Sequence, residues 1–270
     1  MLSVGVSLKS LRASVASKVS ALPPELLFAN GETGAWYEPN DLTTVFQDAS
    51  GTTPAGAGDP VGYLGDKSGN GNHATQSITS SKPTLRQNSE GVYYLEFDGV
   101  DDFLDAGTPD FLSDSSFEVF LSDEYLDDAF ALSSFSNPTK GWHAIFHGAL
   151  AEAWLYFQKS SYLLNDGAPP APKKSIIYYA NEISPDLDWA RLNGSQLVEA
   201  EKSDAGFTLQ REPVLGTYFY IGASLLESGI DYQHQGNFYG GIFRGAANRS
   251  DDSTVQDIES YLSNILGLQI

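Results

Sequence analysis

The stretch from residue 93 to residue 104 narrows the possible folds more than any other part of the sequence. Tyr93, Leu95 and Phe97 alternate with more polar residues, so a strand here has one apolar face and one face that water can reach. Asp98-Gly99 then ends the strand, because glycine accepts backbone angles that other residues avoid and aspartate hydrogen-bonds to its own backbone. We therefore predict a half-buried β-strand that stops abruptly in an acidic turn.

A second constraint is the loop Asp-Lys-Ser-Gly-Asn-Gly-Asn-His-Ala at residues 66–74. Its alternating glycine and asparagine residues predict tight turns with positive φ angles. We expect Asp66 and Asn72 to hold the loop together through side-chain to backbone hydrogen bonds. His73 has no second histidine at metal-ligand spacing, so we interpret it as structural rather than catalytic.

These stretches, together with Trp-Tyr-Glu-Pro-Asn-Asp-Leu at residues 36–42, resemble a known family. With the Phe-Gln-Asp-Ala-Ser-Gly-Thr-Thr-Pro loop at 46–54 and the Phe-Asp-Gly-Val-Asp-Asp-Phe-Leu turn at 97–104, they look like laminin-G-like, concanavalin A-type jelly rolls of bacteriophage and prophage structural proteins. The resemblance covers residues 28–266. It implies an all-β fold, a concanavalin A-like antiparallel β-sandwich or jelly roll, and a virion setting, but no particular reaction. In such a fold Trp36 is expected to pack at the sandwich edge as a core aromatic residue.

Composition agrees with one large β-domain and excludes several function classes. The 270 residues include 26 glycines, 13 prolines and 12% aromatic residues, which suits many short strands joined by turns. No cysteine is present, so no disulfide framework exists. The formal net charge of −20 argues against nucleic-acid binding, because contacts with phosphate require lysine and arginine. No apolar run is long enough for membrane insertion.

The N-terminal segment differs from the rest of the chain in charge. Residues 1–24 contain three basic residues and no acidic one. Apolar residues at heptad-like spacing predict a short amphipathic helix that ends at Pro23. A targeting peptide, a loose terminus and an anchoring or trimerising segment are the three interpretations. We adopt the third, in which residues 1–27 form an anchor that binds other virion proteins within a homotrimer.

Residues 28–270 are predicted to form one laminin-G-like sandwich domain that ends in an α-helix at 253–266. Ser253 can cap this helix, an apolar stripe follows at helical spacing, and Gly267 ends it. Two shorter signals precede it in the chain. Asn193-Gly194 predicts the tip of a β-hairpin, and the apolar residues 26–28 predict a short strand.

The acidic turn is the first candidate site. Glu96 and Asp98 share a strand face, as carboxylates do in glucanases of the same superfamily. The third acid, Asp101, falls in the turn after Gly99, so we expect no convergence of catalytic carboxylates on a sugar. Asp98, Asp101 and Asp102 could instead bind calcium, which accepts flexible cages of carboxylate oxygens. Solvated turn acids without a cation are the alternative.

The second candidate site lies on two strands predicted at residues 141–148 and 153–158. His143 and His147 fall on one side of the first strand, opposite its tryptophan and phenylalanine residues. If that side faces solvent together with Tyr156, it forms a carbohydrate platform, because aromatic faces stack on sugars while polar edges bond hydroxyl groups. Filling of the core is the alternative interpretation of these residues.

Known catalytic motifs are missing from the sequence. It contains no Gly-x-Ser-x-Gly elbow, phosphate loop or paired-histidine motif, so we predict that the chain is not an enzyme. The family resemblance favours a bacteriophage virion structural protein, a tail- or head-fibre-associated module that recognises a host-surface glycan after assembly in the host cytoplasm. A capsid decoration or cement protein without sugar binding is the alternative. A polysaccharide-degrading enzyme of the same superfamily is the second alternative.

Overall fold

The computed structural model describes residues 23–113, 116–125, 131–137, 141–148, 152–157, 160–163, 173–182, 187–196, 218–226, 229–231 and 233–270. The strands are β1 (Thr33–Tyr37), β2 (Val45–Phe46), β3 (Tyr63–Leu64), β4 (Ala74–Thr75), β5 (Thr84–Gln87), β6 (Tyr93–Asp98), β7 (Leu104–Asp105), β8 (Ser116–Tyr125), β9 (Ala131–Asn137), β10 (Gly141–Gly148), β11 (Glu152–Phe157), β12 (Ser160–Leu163), β13 (Lys173–Glu182), β14 (Leu187–Leu192), β15 (Ser195–Gln196), β16 (Tyr218–Ile221), β17 (Ser224–Leu226), β18 (Gly229–Asp231) and β19 (Gln235–Ala246). Short 3₁₀-helices lie at Pro24–Phe28, Leu42–Thr44, Thr79–Ser81 and Asp110–Ser113, and helix α1 spans Asp252–Leu266.

Most of these strands form two antiparallel sheets that stack face to face, and β17 pairs with β18 in a separate two-stranded sheet. The sheet that carries helix α1, here called the helix-side sheet, has the order β15-β14-β13-β8-β19-β6-β5, and β1 also pairs with β19. The second sheet has the order β12-β11-β10-β9-β16-β7-β4-β3-β2. In this sheet β16 lies between β9 and β7, and β7 pairs with β4, so strands that are far apart in the sequence become neighbours, as the connections of a jelly roll require. The predicted all-β sandwich with a C-terminal helix is confirmed.

The main core lies between the two sheets. Leu95 and Phe97 of the predicted strand β6 point into it and are buried, whereas Glu96 lies on the outer face. They pack with residues such as Val119 of β8 and Phe219 of β16. Each fully buried side chain of this size contributes about 1.5–3 kcal/mol to the hydrophobic driving force. The alternation in the sequence therefore predicts correctly which side chains of β6 are buried in the core.

Helix α1 covers the outer face of the helix-side sheet. Asp251, rather than the predicted Ser253, caps it, because the Asp251 carboxylate accepts a hydrogen bond of 2.8 Å from the amide of Thr254. Gly267 ends the helix in the left-handed conformation, with a φ of 69°, as predicted. The apolar stripe of the helix forms a second core with residues of the sheet, among them Phe120, Tyr178 and Ile242.

The two shorter predictions have opposite outcomes. Asn193 and Gly194 adopt φ angles of 47° and 78° at the tip of the β14–β15 hairpin, which confirms the predicted turn. The strand predicted at residues 26–28 is wrong, because these residues belong to the 3₁₀-helix Pro24–Phe28. Proline fixes φ near the helical value at its first position, and Leu27 then packs under helix α1.

The N-terminal anchor stays a prediction. Residues 1–22 lie outside the described residues, and nothing in the fold tests the division of the chain into 1–27 and 28–270. Among the described helices, none combines the length and the apolar character needed to span a bilayer.

Candidate functional site

The glycine-asparagine loop is held by one carboxylate. Asp66 accepts hydrogen bonds from the backbone amides of Trp36, Ser68 and Asn72, at 2.9, 2.8 and 3.0 Å. The side-chain amide of Asn72 in turn donates to the carbonyl of Gly34 at 2.7 Å. The predicted structural role of Asp66 and Asn72 is therefore confirmed, and the loop is fixed against strand β1.

Trp36 is a packed aromatic residue, as predicted. Its ring is buried and meets the Tyr261 ring of helix α1 edge-on at 6.4 Å. The ammonium group of Lys67 lies 4.2 Å from the centre of the Trp36 ring and pairs with Glu38 and Asp41. Burial alone would lower the pKa of Lys67, but the two carboxylates raise it, so the charge on this lysine is retained.

The three aspartates of the acidic turn come together as a cluster. Carboxylate oxygens of Asp98, Asp101 and Asp102 lie within 4.8 Å of one another. The Asp102 carboxylate also accepts a hydrogen bond of 3.1 Å from the Asp98 amide, and Asp101 accepts one of 2.9 Å from Ser81. Burial first, and then the charge of Asp98, raise the pKa of Asp102 to about 6. Such a convergence of oxygens suits a hard cation such as calcium, and calcium binding stays a prediction.

Removal of the buried charge at position 102 is expected to stabilise the fold at high pH. A carboxyl group whose pKa is raised by folding contributes stability at low pH, and this contribution is lost as the pH rises through about 6. Asp102→Asn keeps an oxygen for the Asp98 amide, so its melting temperature should exceed that of the wild type at about pH 8 and match it at about pH 3. Thermal melts at both pH values measure this, and an equal shift at both would contradict it.

The same melts test the predicted cation. Calcium should neutralise the repulsion among the three carboxylates and raise the melting temperature of the wild type at about pH 8. Asp101→Asn removes a charge but leaves the fold around Asp102 in place, so it should abolish the calcium effect. If calcium does not change the melting temperature of the wild type, the three aspartates are solvated turn residues without a cation.

Strand pairing separates the residues of the predicted carbohydrate platform. In the β10–β11 ladder His143 is registered against Phe157 and His147 against Ala153, whereas Tyr156 is registered against Ala144. Directly paired positions share a face, and positions alternate along a strand. The position of Tyr156 is therefore on the opposite face from those of His143 and His147, and the three do not form one platform. Sugar binding at any one of them stays a prediction.

Comparison with known proteins shows the fold. No family model matches the chain, and no curated protein matches it. A mutant of a GH54 α-L-arabinofuranosidase, soaked with 4-nitrophenyl α-L-arabinofuranoside, is 14% identical with a TM-score of 0.60, covering 90% of this chain and 65% of that one. Domain 4 of AbnA, a GH43 extracellular arabinanase from Geobacillus stearothermophilus in complex with arabinotriose, is 11% identical with a TM-score of 0.52, covering 87% of this chain and 98% of the domain. The fold is shared with both.

Several matched chains are longer than this one. The chain spans 65% of the arabinofuranosidase. It spans 26% of NanB sialidase from Streptococcus pneumoniae, which is 13% identical, matches 60% of this chain and has a TM-score of 0.46. This chain thus corresponds to part of the arabinofuranosidase.

These matches correct the prediction that the chain is not an enzyme. That prediction depended on missing local motifs, whereas this fold makes up most of the length of a matched glycoside hydrolase. The physical reason is that glycosidase carboxylates converge in space, so their spacing along a sequence does not have to reveal them. The fold predicted from the family resemblance is confirmed, and the virion setting stays a prediction.

Sequence reasoning missed the residues that the shortest strands bring together. Phe46, Tyr63 and Asp105 lie on β2, β3 and β7, which have two residues each. A strand of this length is too short to show the alternation that identifies a half-buried strand. The high aromatic content was the available signal, but it does not show which rings become neighbours.

Proposed function

We propose that this chain is a glycan-recognition module of a bacteriophage virion, carried by a tail or head fibre. The observation that carries the glycan part is the shared fold with domain 4 of the arabinanase, a domain solved with arabinotriose, of which this chain covers 98%. A match over the full length of a separate sugar-bound domain supports a binding module built from the sandwich alone.

The virion part of the proposal is supported by the sequence motifs and by their roles in the fold. Asp66 ties the glycine-asparagine loop to strand β1, and the bend after Phe97 closes strand β6. These residues stabilise the fold, as expected of a sequence motif that identifies a family with one fold. In this proposal residues 1–27 bind other virion proteins, the chain assembles as a trimer in the host cytoplasm, and three weak sites bind one host surface together.

Two alternatives make different predictions. A capsid decoration or cement protein would sit on the shell and bind no sugar. A polysaccharide-degrading enzyme is supported by the GH54 match, with a TM-score of 0.60, and it would release reducing ends from its polysaccharide. The test of this alternative is the substitution Glu96→Gln, which removes the carboxylate that pairs with Arg86 at 2.6 Å.

The deciding experiment places the purified, assembled protein on a glycan array and measures reducing ends in parallel. Binding of a defined set of glycans, with the protein located on a fibre by electron microscopy of the particle, is the expected result. No binding by a folded, assembled protein would overturn the proposal. Release of reducing ends that is lost in Glu96→Gln would favour the enzyme, and a location on the capsid shell without glycan binding would favour the decoration protein.

A further inference from the structure

Aromatic residues cross the outer face of the second sheet in a registered row. Phe46 pairs with Tyr63 across β2 and β3, Tyr63 pairs with Thr75 of β4, Thr75 pairs with Asp105 of β7, and Asp105 pairs with Tyr220 of β16. Directly paired residues share a face of a sheet. Their sequence neighbours on the opposite face lie in the core, fully buried: Val45, Leu64, Ala74, Leu104 and Phe219.

The rings of this face contact one another at both ends of the row. At one end the Tyr63 ring meets Phe46 edge-on at 5.6 Å, and His73 lies against it at 5.0 Å with a tilt of 33°. At the other end Tyr218 and Tyr220 stack at 6.2 Å with ring planes 17° apart. We call the five residues Phe46, Tyr63, His73, Tyr218 and Tyr220 the aromatic row.

The aromatic row contains both exposed and buried residues. Tyr218 is 40% exposed and His73 is exposed, whereas Tyr220 is 5% exposed. Helix α1 packs on β8, β13 and β19 of the helix-side sheet and so covers the other side of the sandwich. The exposed ring of Tyr218 is therefore positioned to stack on a ligand.

Asp105 places a hydrogen-bond acceptor within the row, between Thr75 of β4 and Tyr220 of β16. Its carboxylate accepts one hydrogen bond, of 2.7 Å, from the amide of Gly107, and a carboxylate has about four acceptor positions. Burial first, and then Asp105 and Tyr218, raise the pKa of Tyr220 to about 12, so the Tyr220 hydroxyl remains a donor at neutral pH. Rings at both ends, the Asp105 carboxylate between them and the Tyr220 phenol at one end match a sugar chain, whose C–H faces stack and whose hydroxyl groups both donate and accept.

Charge and length narrow the class of ligand. The formal net charge of −20 repels acidic sugars, and the Asp105 carboxylate does so locally. From β2 to β16 the row crosses four gaps between strands of about 4.8 Å each, or about 19 Å in all. We propose that the aromatic row binds a neutral oligosaccharide, an inference that rests on the proposed glycan recognition and adds its location and ligand class.

The test compares variants on the two faces of the sandwich. The probes are an array of neutral oligosaccharides that includes arabinotriose, with α2,3- and α2,6-sialyllactose as acidic probes. Affinity for the neutral oligosaccharide that binds most strongly is then measured by titration calorimetry. Tyr218→Ala should weaken binding about twofold to tenfold, and Tyr218→Phe, which keeps the ring, should bind like the wild type. Tyr94→Ala is the matched control, because Tyr94 lies on the outer face of the helix-side sheet, stacked on Tyr239 at 4.9 Å.

The outcomes separate this inference from the proposed function. Binding that is weakened in Tyr218→Ala and in the second variant Asp105→Asn, but not in Tyr94→Ala, supports the aromatic row. Glycan binding that survives in both of the first two variants overturns the inference and leaves the proposed function standing. Preference for sialyllactose over every neutral probe overturns the ligand class. A folded wild type that binds no probe overturns the proposed function together with the inference. Circular dichroism confirms the fold of each variant, and Tyr218 is exposed enough for its removal to leave the core intact.

Discussion

Glu118→Ala is expected to lower the free energy of unfolding by about 3–5 kcal/mol, because it removes the nearer of the two acidic partners of Arg244 together with a fully buried hydrogen-bond acceptor. The Glu118 side chain is 0% exposed and lies 2.6 Å from the guanidinium of Arg244. It also accepts hydrogen bonds from the amide of Ser250 at 2.6 Å and from the Tyr178 hydroxyl at 3.0 Å. These partners come from three separate parts of the chain, so the carboxylate joins strands β8, β13 and β19 to the segment before helix α1.

Urea denaturation followed by circular dichroism measures this loss. The matched control is Glu96→Ala, which breaks the pair between Arg86 and Glu96, whose side chains are 47% and 35% exposed. An exposed ion pair contributes about 0–1 kcal/mol, so the control should remain close to the wild type. Equal effects of the two substitutions would show that the burial of Glu118 has no energetic consequence and would contradict the prediction.

Local patterns explain why much of the fold was predictable. The alternation of Tyr93, Leu95 and Phe97, the Asn193-Gly194 turn and the apolar stripe of helix α1 each depend on neighbours within about one turn or strand. Such patterns can be recognised from consecutive residues, because the period of the backbone determines which face of an element each side chain occupies. They fix the type of each element, and a sandwich is the arrangement that buries all of the resulting apolar faces.

Contacts between distant segments explain what was not predictable. The pairing of Thr75 with Asp105, and of Asp105 with Tyr220, joins positions that lie far apart in the chain. The face of Tyr156 relative to His143 depends on the register of the β10–β11 hairpin, and a shift of one residue moves a side chain to the other face. Alternation within a strand does not determine that register. The sequence therefore did not show that the positions of Tyr156 and His143 lie on opposite faces.

Asp66→Ala is the second substitution expected to have a large effect, with a loss of about 3 kcal/mol in the free energy of unfolding. The Asp66 carboxylate accepts hydrogen bonds from the amides of Trp36, Ser68 and Asn72 and from the Ser68 hydroxyl, which lies 2.8 Å away. Alanine leaves these donors without their acceptor where the loop packs on β1, and a hydrogen bond to a charged group contributes about 1.5–3 kcal/mol net of its exchange with water.

Asp48→Ala is the control, because it removes hydrogen bonds within one turn but none between a loop and a strand. Asp48 also accepts hydrogen bonds from several donors, in Ser50, Thr52 and Thr53, but all of them lie within the same exposed loop. Water can replace these bonds without any change between strands, so Asp48→Ala should lower the midpoint of urea denaturation less than Asp66→Ala does. Asp66→Asn keeps one acceptor oxygen and should fall between Asp66→Ala and the wild type. If Asp66→Ala unfolded at the same urea concentration as the wild type, the loop would be a surface feature, and the motif that it carries would not specify the sandwich.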